Sequence, residues 1–152
     1  MCLYNGNNCI SSIELTYEGN GMMAIDSKTR EINRGKKYNK LLRSVIIIVS
    51  SLIICHENKI IKIGSRAVNP ISAWLLINYF NTTYESDRPK KLETYLETHS
   101  PITDRKSLNE FYEMHKSCDL NITVELNAEN IRKANELFDN LTSNNPNSIK
   151  CL

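Results

Sequence analysis

The 152-residue sequence predicts an α+β fold with an N-terminal β-hairpin, a buried central apolar helix and a helix-rich second half with one further strand. Three observations support this class. Alternating apolar residues flank a glycine-rich turn, apolar residues recur at helical spacing in the middle of the chain, and capping residues precede the later amphipathic segments. Because βαβ alternation and glycine-rich phosphate loops are absent from the sequence, a nucleotide-binding fold is not predicted.

The first predicted element is the hairpin. Ile13, Leu15 and Tyr17 alternate with polar residues, which is typical of a half-buried strand. The turn Gly-Asn-Gly at residues 19–21 follows, where a positive φ is readily adopted. Residues 22–25 then return as the second strand.

The second predicted element is the central helix, over residues 38–53. β-branched residues also favour strands, and residues 53–61 are compatible with a hairpin. The choice between helix and strand for residues 44–55 therefore stays open, while residues 60–63 form a short strand in either case. The apolar positions on the helix face are Tyr38, Leu41, Leu42, Val45, Ile48, Val49, Leu52 and Ile53.

Helix-start signals organise the second half of the chain. Leu120, Ile122 and Val124 alternate as its one predicted strand. The predicted helix starts are Asn69-Pro70, residues 87–89, Thr103-Asp104 and Asn127.

A turn is predicted at residues 81–83, between the first two of these helices. Tyr79, Phe80 and Tyr84 adjoin it, and aromatic side chains left exposed there would anchor a protein partner.

Composition indicates a single soluble domain spanning residues 1–152, with residues 1–9 and 143–152 frayed at its ends. The five cysteines have no repeated spacing, and neither a secretory signal nor a membrane span is visible, so a cytoplasmic location is expected. The bias towards Asn, Ile and Lys is typical of A/T-rich genomes such as those of viruses and intracellular bacteria. For a pathogen protein, the expected location is the host cytoplasm.

A basic segment at residues 28–43 is the strongest local feature of the sequence. It contains seven basic residues and one acid, Glu31, whereas residues 85–139 contain twelve acids and eight bases. This layout predicts a non-enzymatic regulatory or effector domain that binds another protein with an acidic surface, and it also favours self-association. The predicted binding residues are Arg34, Lys36, Lys37, Lys40 and Arg43.

Two alternatives belong to other functional classes. The same basic segment, at the start of a helix, suits a phosphate group or a nucleic acid. The third hypothesis is a Cys/His-dependent hydrolase or transferase, if Cys55 and His56 converge with His115 and Cys118. The sequence assigns no catalytic residue, metal site, cofactor or membrane partner.

Overall fold

The computed structural model divides the chain into two compact units. Unit 1 comprises Met1–Ile63 and Leu126–Leu152, and unit 2 comprises Gly64–Glu125. The residues that the structure describes are 1–5, 7–29, 38–55, 58–99, 101–116, 118–143 and 150–151.

Helices and strands are both present in quantity, so the predicted α+β class is confirmed. The elements in chain order are β1 (Cys2–Asn5), β2 (Asn8–Gly19), β3 (Met22–Thr29), α1 (Tyr38–Ser50), β4 (Ile54–Cys55), β5 (Asn58–Lys59), β6 (Lys62–Ala67), α2 (Pro70–Ile77), β7 (Thr82–Ser86), α3 (Pro89–Thr98), α4 (Arg105–Met114), β8 (Leu120–Glu125), α5 (Ala128–Ser143) and β9 (Lys150–Cys151).

Unit 1 is built on an antiparallel sheet with the strand order β9-β1-β2-β3. The predicted hairpin is confirmed as β2 and β3, and its turn residues Gly19, Asn20 and Gly21 have φ values of +89°, +50° and +72°. Residues 1–9, which the sequence placed at a frayed end, supply β1 and the start of β2. Leu3 in β1 is fully buried, which gives this strand an apolar anchor.

The central helix is confirmed as α1, which packs against β2, β3 and α5 within unit 1. Residues 44–55 contain both a helix and a strand. Residues 44–50 are the last part of α1, whereas Ile54–Cys55 forms β4, which pairs with β5. The predicted helix face is wrong at Val49 and Leu52, which are 38% and 79% exposed. Leu41 and Leu42 of the predicted face are buried, Ile46 and Ile47 are buried beside them, and Leu52 lies beyond the end of the helix.

Unit 2 contains α2, α3 and α4 together with strands in the order β7-β8-β6, of which β6 contributes residues 64–67 to this unit. In this unit α2 packs against α4 and β8, and α3 packs against β7. The predicted caps of α2 and α4 are confirmed. Asn69 Oδ1 accepts a hydrogen bond from the Ser72 N–H at 3.0 Å, and Asp104 Oδ1 accepts one from the Ser107 N–H at 2.9 Å.

The segment predicted as a turn at residues 81–83 is the start of β7, so this prediction is wrong. Thr82–Ser86 pairs antiparallel with β8, and Tyr84 lies opposite Ile122. Threonine and tyrosine have high strand propensity, and pairing with a distant strand decides between the two conformations. Phe80 is 4% exposed and therefore does not form the expected surface anchor.

The cap of α4 makes the stability of unit 2 depend on pH. Hydrogen bonds to the Asp104 carboxylate, chiefly from the Ser107 N–H, lower the pKa of this group. Its stabilising effect is therefore complete above the ordinary aspartate pKa of about 3.9 and is lost as the pH falls below that value. We expect Asp104→Ala to be less stable than wild type in urea unfolding at pH 7, with a smaller difference at pH 3.

The matched control is Glu93→Ala, which removes an exposed carboxylate from within α3. Its effect on the urea midpoint should be small at both pH values. A difference between Asp104→Ala and wild type that does not change with pH would show that the carboxylate charge is irrelevant to the cap.

Candidate protein-binding surface

The predicted basic binding residues do not form one exposed surface in the described part of the chain. Arg34, Lys36 and Lys37 lie outside the described residues. Lys40 is half-buried in the first turn of α1, and Arg43, one turn later, is only 3% exposed. Because its side chain is buried, Arg43 is not accessible to a binding partner in this structure.

Arg43 has a structural environment within unit 1. Its Nε donates to Asn39 Oδ1 at 2.6 Å, and its Nη2 donates to Ser27 Oγ on β3 at 2.9 Å. Burial lowers the pKa of the guanidinium to about 10, although the charge of Asp26 acts in the opposite direction. The group therefore remains charged at neutral pH and ties α1 to the sheet.

The cysteine and histidine residues of the third hypothesis are only partly described. His56 lies outside the described residues, as does the side chain of Cys55. The free thiol of Cys118 is buried at 1% exposure, where an inert cysteine is usual. The half-buried His115 ring lies edge-on to Phe111, with ring centroids 5.3 Å apart.

Metal coordination finds no support in the described part of the chain. There, no three His, Cys, Asp or Glu side chains are grouped so that they could hold a metal ion.

An exposed apolar surface occurs instead where α1 gives way to the β4–β5 hairpin. Leu52, at 79%, has the largest exposure among the large apolar side chains of the described residues, and Ile61 is 55% exposed. Val49 is close to Leu52 along the chain, since its carbonyl accepts the Leu52 N–H at 2.9 Å. We define the hairpin-base patch as Val49, Leu52, Lys59, Ile61 and Lys62.

Strand pairing explains why two apolar residues of the patch point outwards. Ile54 pairs with Lys59, and the hydrogen bond from the Ile60 N–H to the Ile53 carbonyl extends this register by one position, at 3.3 Å. Leu52 and Ile61 each lie one residue beyond this last hydrogen bond. Side chains alternate between faces along a strand, so the burial of Ile60 leaves Ile61 in solvent.

The backbone of Ile61 is fixed on both sides. Its N–H donates to the Gly21 carbonyl at 2.9 Å, and its carbonyl accepts the Leu126 N–H at 2.8 Å. The Gly21 carbonyl also accepts the Lys62 N–H at 3.2 Å. The exposed side chain of Ile61 is therefore presented on a backbone that hydrogen bonds hold in place.

Two lysines flank Ile61 of the patch along the chain. Lys59 is exposed and Lys62 is half-buried, and neither forms an ion pair with another described residue. Twelve of the 19 basic residues and eight of the 17 acidic residues belong to unit 1. The patch thus combines exposed apolar side chains with two lysines, and an apolar centre with a polar rim is the usual layout of a protein contact surface.

Sequence reasoning missed this surface, although a signal for it was present. The helix interpretation assigned Leu52 to the core. The hairpin interpretation of residues 53–61 carries that signal, because a hairpin beginning there ends the helix before Ile53 and removes Leu52 from the helix face. The other exposed large apolar side chains of the described residues lie in unit 2, and they are Val68, Ile71, Leu96 and Met114.

Comparison with known proteins supplies no functional assignment. No protein-family model, curated protein or solved structure matches this chain. Within the described residues, none of the helices has both the length and the apolar character needed to span a membrane.

Proposed function

We propose that this protein is a non-enzymatic protein-binding module and that the hairpin-base patch is its contact surface. The observation that carries this proposal is the 79% exposure of Leu52 beside an isoleucine whose backbone is fixed. Burying one such side chain is worth about 1.5–3 kcal/mol. Both side chains are exposed in the folded chain, so a partner that covers Leu52 and Ile61 gains this free energy on binding.

The partner has an acidic surface around an apolar pocket. Lys59 and Lys62 would face its carboxylates, and residues 28–43 add seven basic residues to the same unit. Rim charges of this kind chiefly raise the association rate and select the partner, while the apolar anchors supply most of the affinity. We therefore assign the basic segment a steering role rather than the role of the central contact.

A regulatory role in a reducing compartment is consistent with the proposed protein-binding function. Among the described residues, Cys2, Cys9 and Cys118 are not joined in disulfide bonds, which supports a cytoplasmic location. The A/T-rich codon bias favours an effector of a virus or an intracellular bacterium, acting in the host cytoplasm.

Binding of synthetic peptides tests the proposal. Two sets of amphipathic peptides carry the same leucine and phenylalanine anchors. In one set the anchors are flanked by glutamate residues, and in the other set they are flanked by lysine residues. Fluorescence anisotropy measures the affinity of each set for the full chain. We expect the glutamate-flanked set to bind more tightly. Leu52→Ser and Ile61→Ser should each weaken that binding by about 10-fold or more, because an apolar anchor is lost.

The matched control is Val68→Ser, which removes an apolar side chain of similar exposure, 61%, from unit 2. This variant should bind the glutamate-flanked peptides as wild type does. Circular dichroism confirms that each variant is folded. Equal affinity for the two peptide sets, or unchanged affinity after Leu52→Ser, would refute the proposed contact surface.

A further inference from the structure

Strand β7 forms an open edge in unit 2. In the strand order β7-β8-β6, β7 is the terminal strand, and it pairs with β8 alone. The register runs without a bulge from Thr82 opposite Val124 to Ser86 opposite Leu120. Proline, lysine and bulges, which commonly protect edge strands, are absent from β7.

The register determines which backbone groups face away from β8. The Asp87 N–H donates to the carbonyl of Asp119, the residue directly opposite, at 3.2 Å. Hydrogen-bonded and non-hydrogen-bonded pairs alternate along an antiparallel ladder, so Thr82 and Tyr84 occupy non-hydrogen-bonded positions. Their N–H and C=O groups point outwards, and no other described residue supplies these groups with a backbone partner.

The side chains of β7 are compatible with a second strand at this edge. Thr83 and Glu85 are exposed on one face, whereas Tyr84 is half-buried and Ser86 is buried on the other. Glu85 is the only charged residue of the strand. If two copies of β7 pair with each other, the register must therefore keep Glu85 of one copy away from Glu85 of the other.

We propose that β7 pairs antiparallel with β7 of a second copy of this chain, about a two-fold axis at Thr83. Thr83 then faces Thr83 of the partner subunit in a non-hydrogen-bonded pair, and threonine pairs are favourable at such positions. The outward groups of Thr82 lie opposite those of Tyr84 in the other copy, so each satisfies the other. Glu85 lies opposite the neutral Asn81, and the symmetric contact closes as a dimer.

The dimer is weak because the shared edge is short. A five-residue strand buries far less than the roughly 1,600 Å² of a standard stable interface. Analytical ultracentrifugation of the full chain, from about 5 µM to about 500 µM, should therefore show a monomer that converts progressively to a dimer.

A charge exchange at Thr83 tests the position of the axis. Thr83→Lys and Thr83→Glu each place like charges opposite one another, so each variant alone should associate at least about 10-fold more weakly than wild type. An equimolar mixture of the two should restore dimerisation, because lysine then faces glutamate. Since Thr83 is exposed, both variants should remain folded, which circular dichroism checks.

Asn109→Lys is the control, because it adds the same charge to an exposed position on α4. It should leave the dimer unchanged. Wild type that stays monomeric throughout would overturn the proposal and leave β7 to a different occupant. Dimerisation of Thr83→Lys at wild-type strength, or a mixture that fails to recover, would overturn it as well. Neither result bears on the hairpin-base patch, which lies in unit 1.

Discussion

Replacement of Arg43 by alanine is expected to lower the free energy of unfolding by about 2–4 kcal/mol. The substitution leaves a cavity beneath α1 and removes the donors to Asn39 Oδ1 and Ser27 Oγ. The native guanidinium keeps its charge at neutral pH, because burial lowers the pKa of Arg43 only to about 10. Urea unfolding followed by circular dichroism at pH 7 measures the loss.

Two control variants separate the buried contacts of Arg43 from its charge. Arg43→Lys keeps a cation but loses the forked donor geometry, so its loss of stability should be intermediate. Arg132→Ala removes an exposed arginine from α5, where Glu129 and Glu136 are its partners, and should cost much less. A fully stable Arg43→Ala that binds acidic peptides weakly would instead make Arg43 a contact residue, as the sequence suggests.

Local signals account for the parts of the fold that the sequence predicts well. The turn at residues 19–21 is defined by its own glycines, and Asn69 and Asp104 cap the helices that follow them directly. Each of these features depends on residues within about four positions along the chain. Elements of this kind can be located from one sequence because no distant contact competes with them.

Long-range pairing accounts for the element that the sequence misassigns. β7 lacks the alternation of apolar residues that marks a strand, and its partner β8 lies more than 30 residues further along the chain. Asn81 and the threonines that follow it also suit a turn. The strand exists because β8 supplies hydrogen bonds and an apolar neighbour, and neither can be inferred from residues 81–86 alone.

The candidate site was only partly predictable for the same reason. A cationic surface can be inferred from composition, but the burial of Arg43 depends on Ser27, which lies 16 residues earlier on β3. Likewise, the exposure of Leu52 depends on α1 ending at Ser50 rather than continuing to residue 53. Sequence composition thus predicts which unit is basic, whereas the exposure of apolar side chains in that unit follows only from how the elements pack.

Substitution of Gly21 by alanine should be the most damaging single change in the hairpin turn, with a loss of about 2–4 kcal/mol. Gly21 has a φ of +72°, and a Cβ atom there would lie 2.8 Å from both the Lys59 carbonyl oxygen and Ile61 Cγ1. The backbone strain alone accounts for about 1–2 kcal/mol. The rest arises because the Lys59 oxygen belongs to backbone, which cannot move aside as a flexible side chain can.

Gly19→Ala is the matched control, since Gly19 also has a positive φ, +89°, but its Cβ would have no neighbour within 4 Å. Its loss should therefore be limited to the backbone strain, about 1–2 kcal/mol, in thermal or urea unfolding. Because the Gly21 carbonyl holds the N–H of Ile61, Gly21→Ala should also weaken binding of glutamate-flanked peptides in protein that remains folded, whereas Gly19→Ala should not. Equal losses of stability for the two variants would mean that the contacts of Gly21 with the hairpin base contribute nothing beyond the turn conformation.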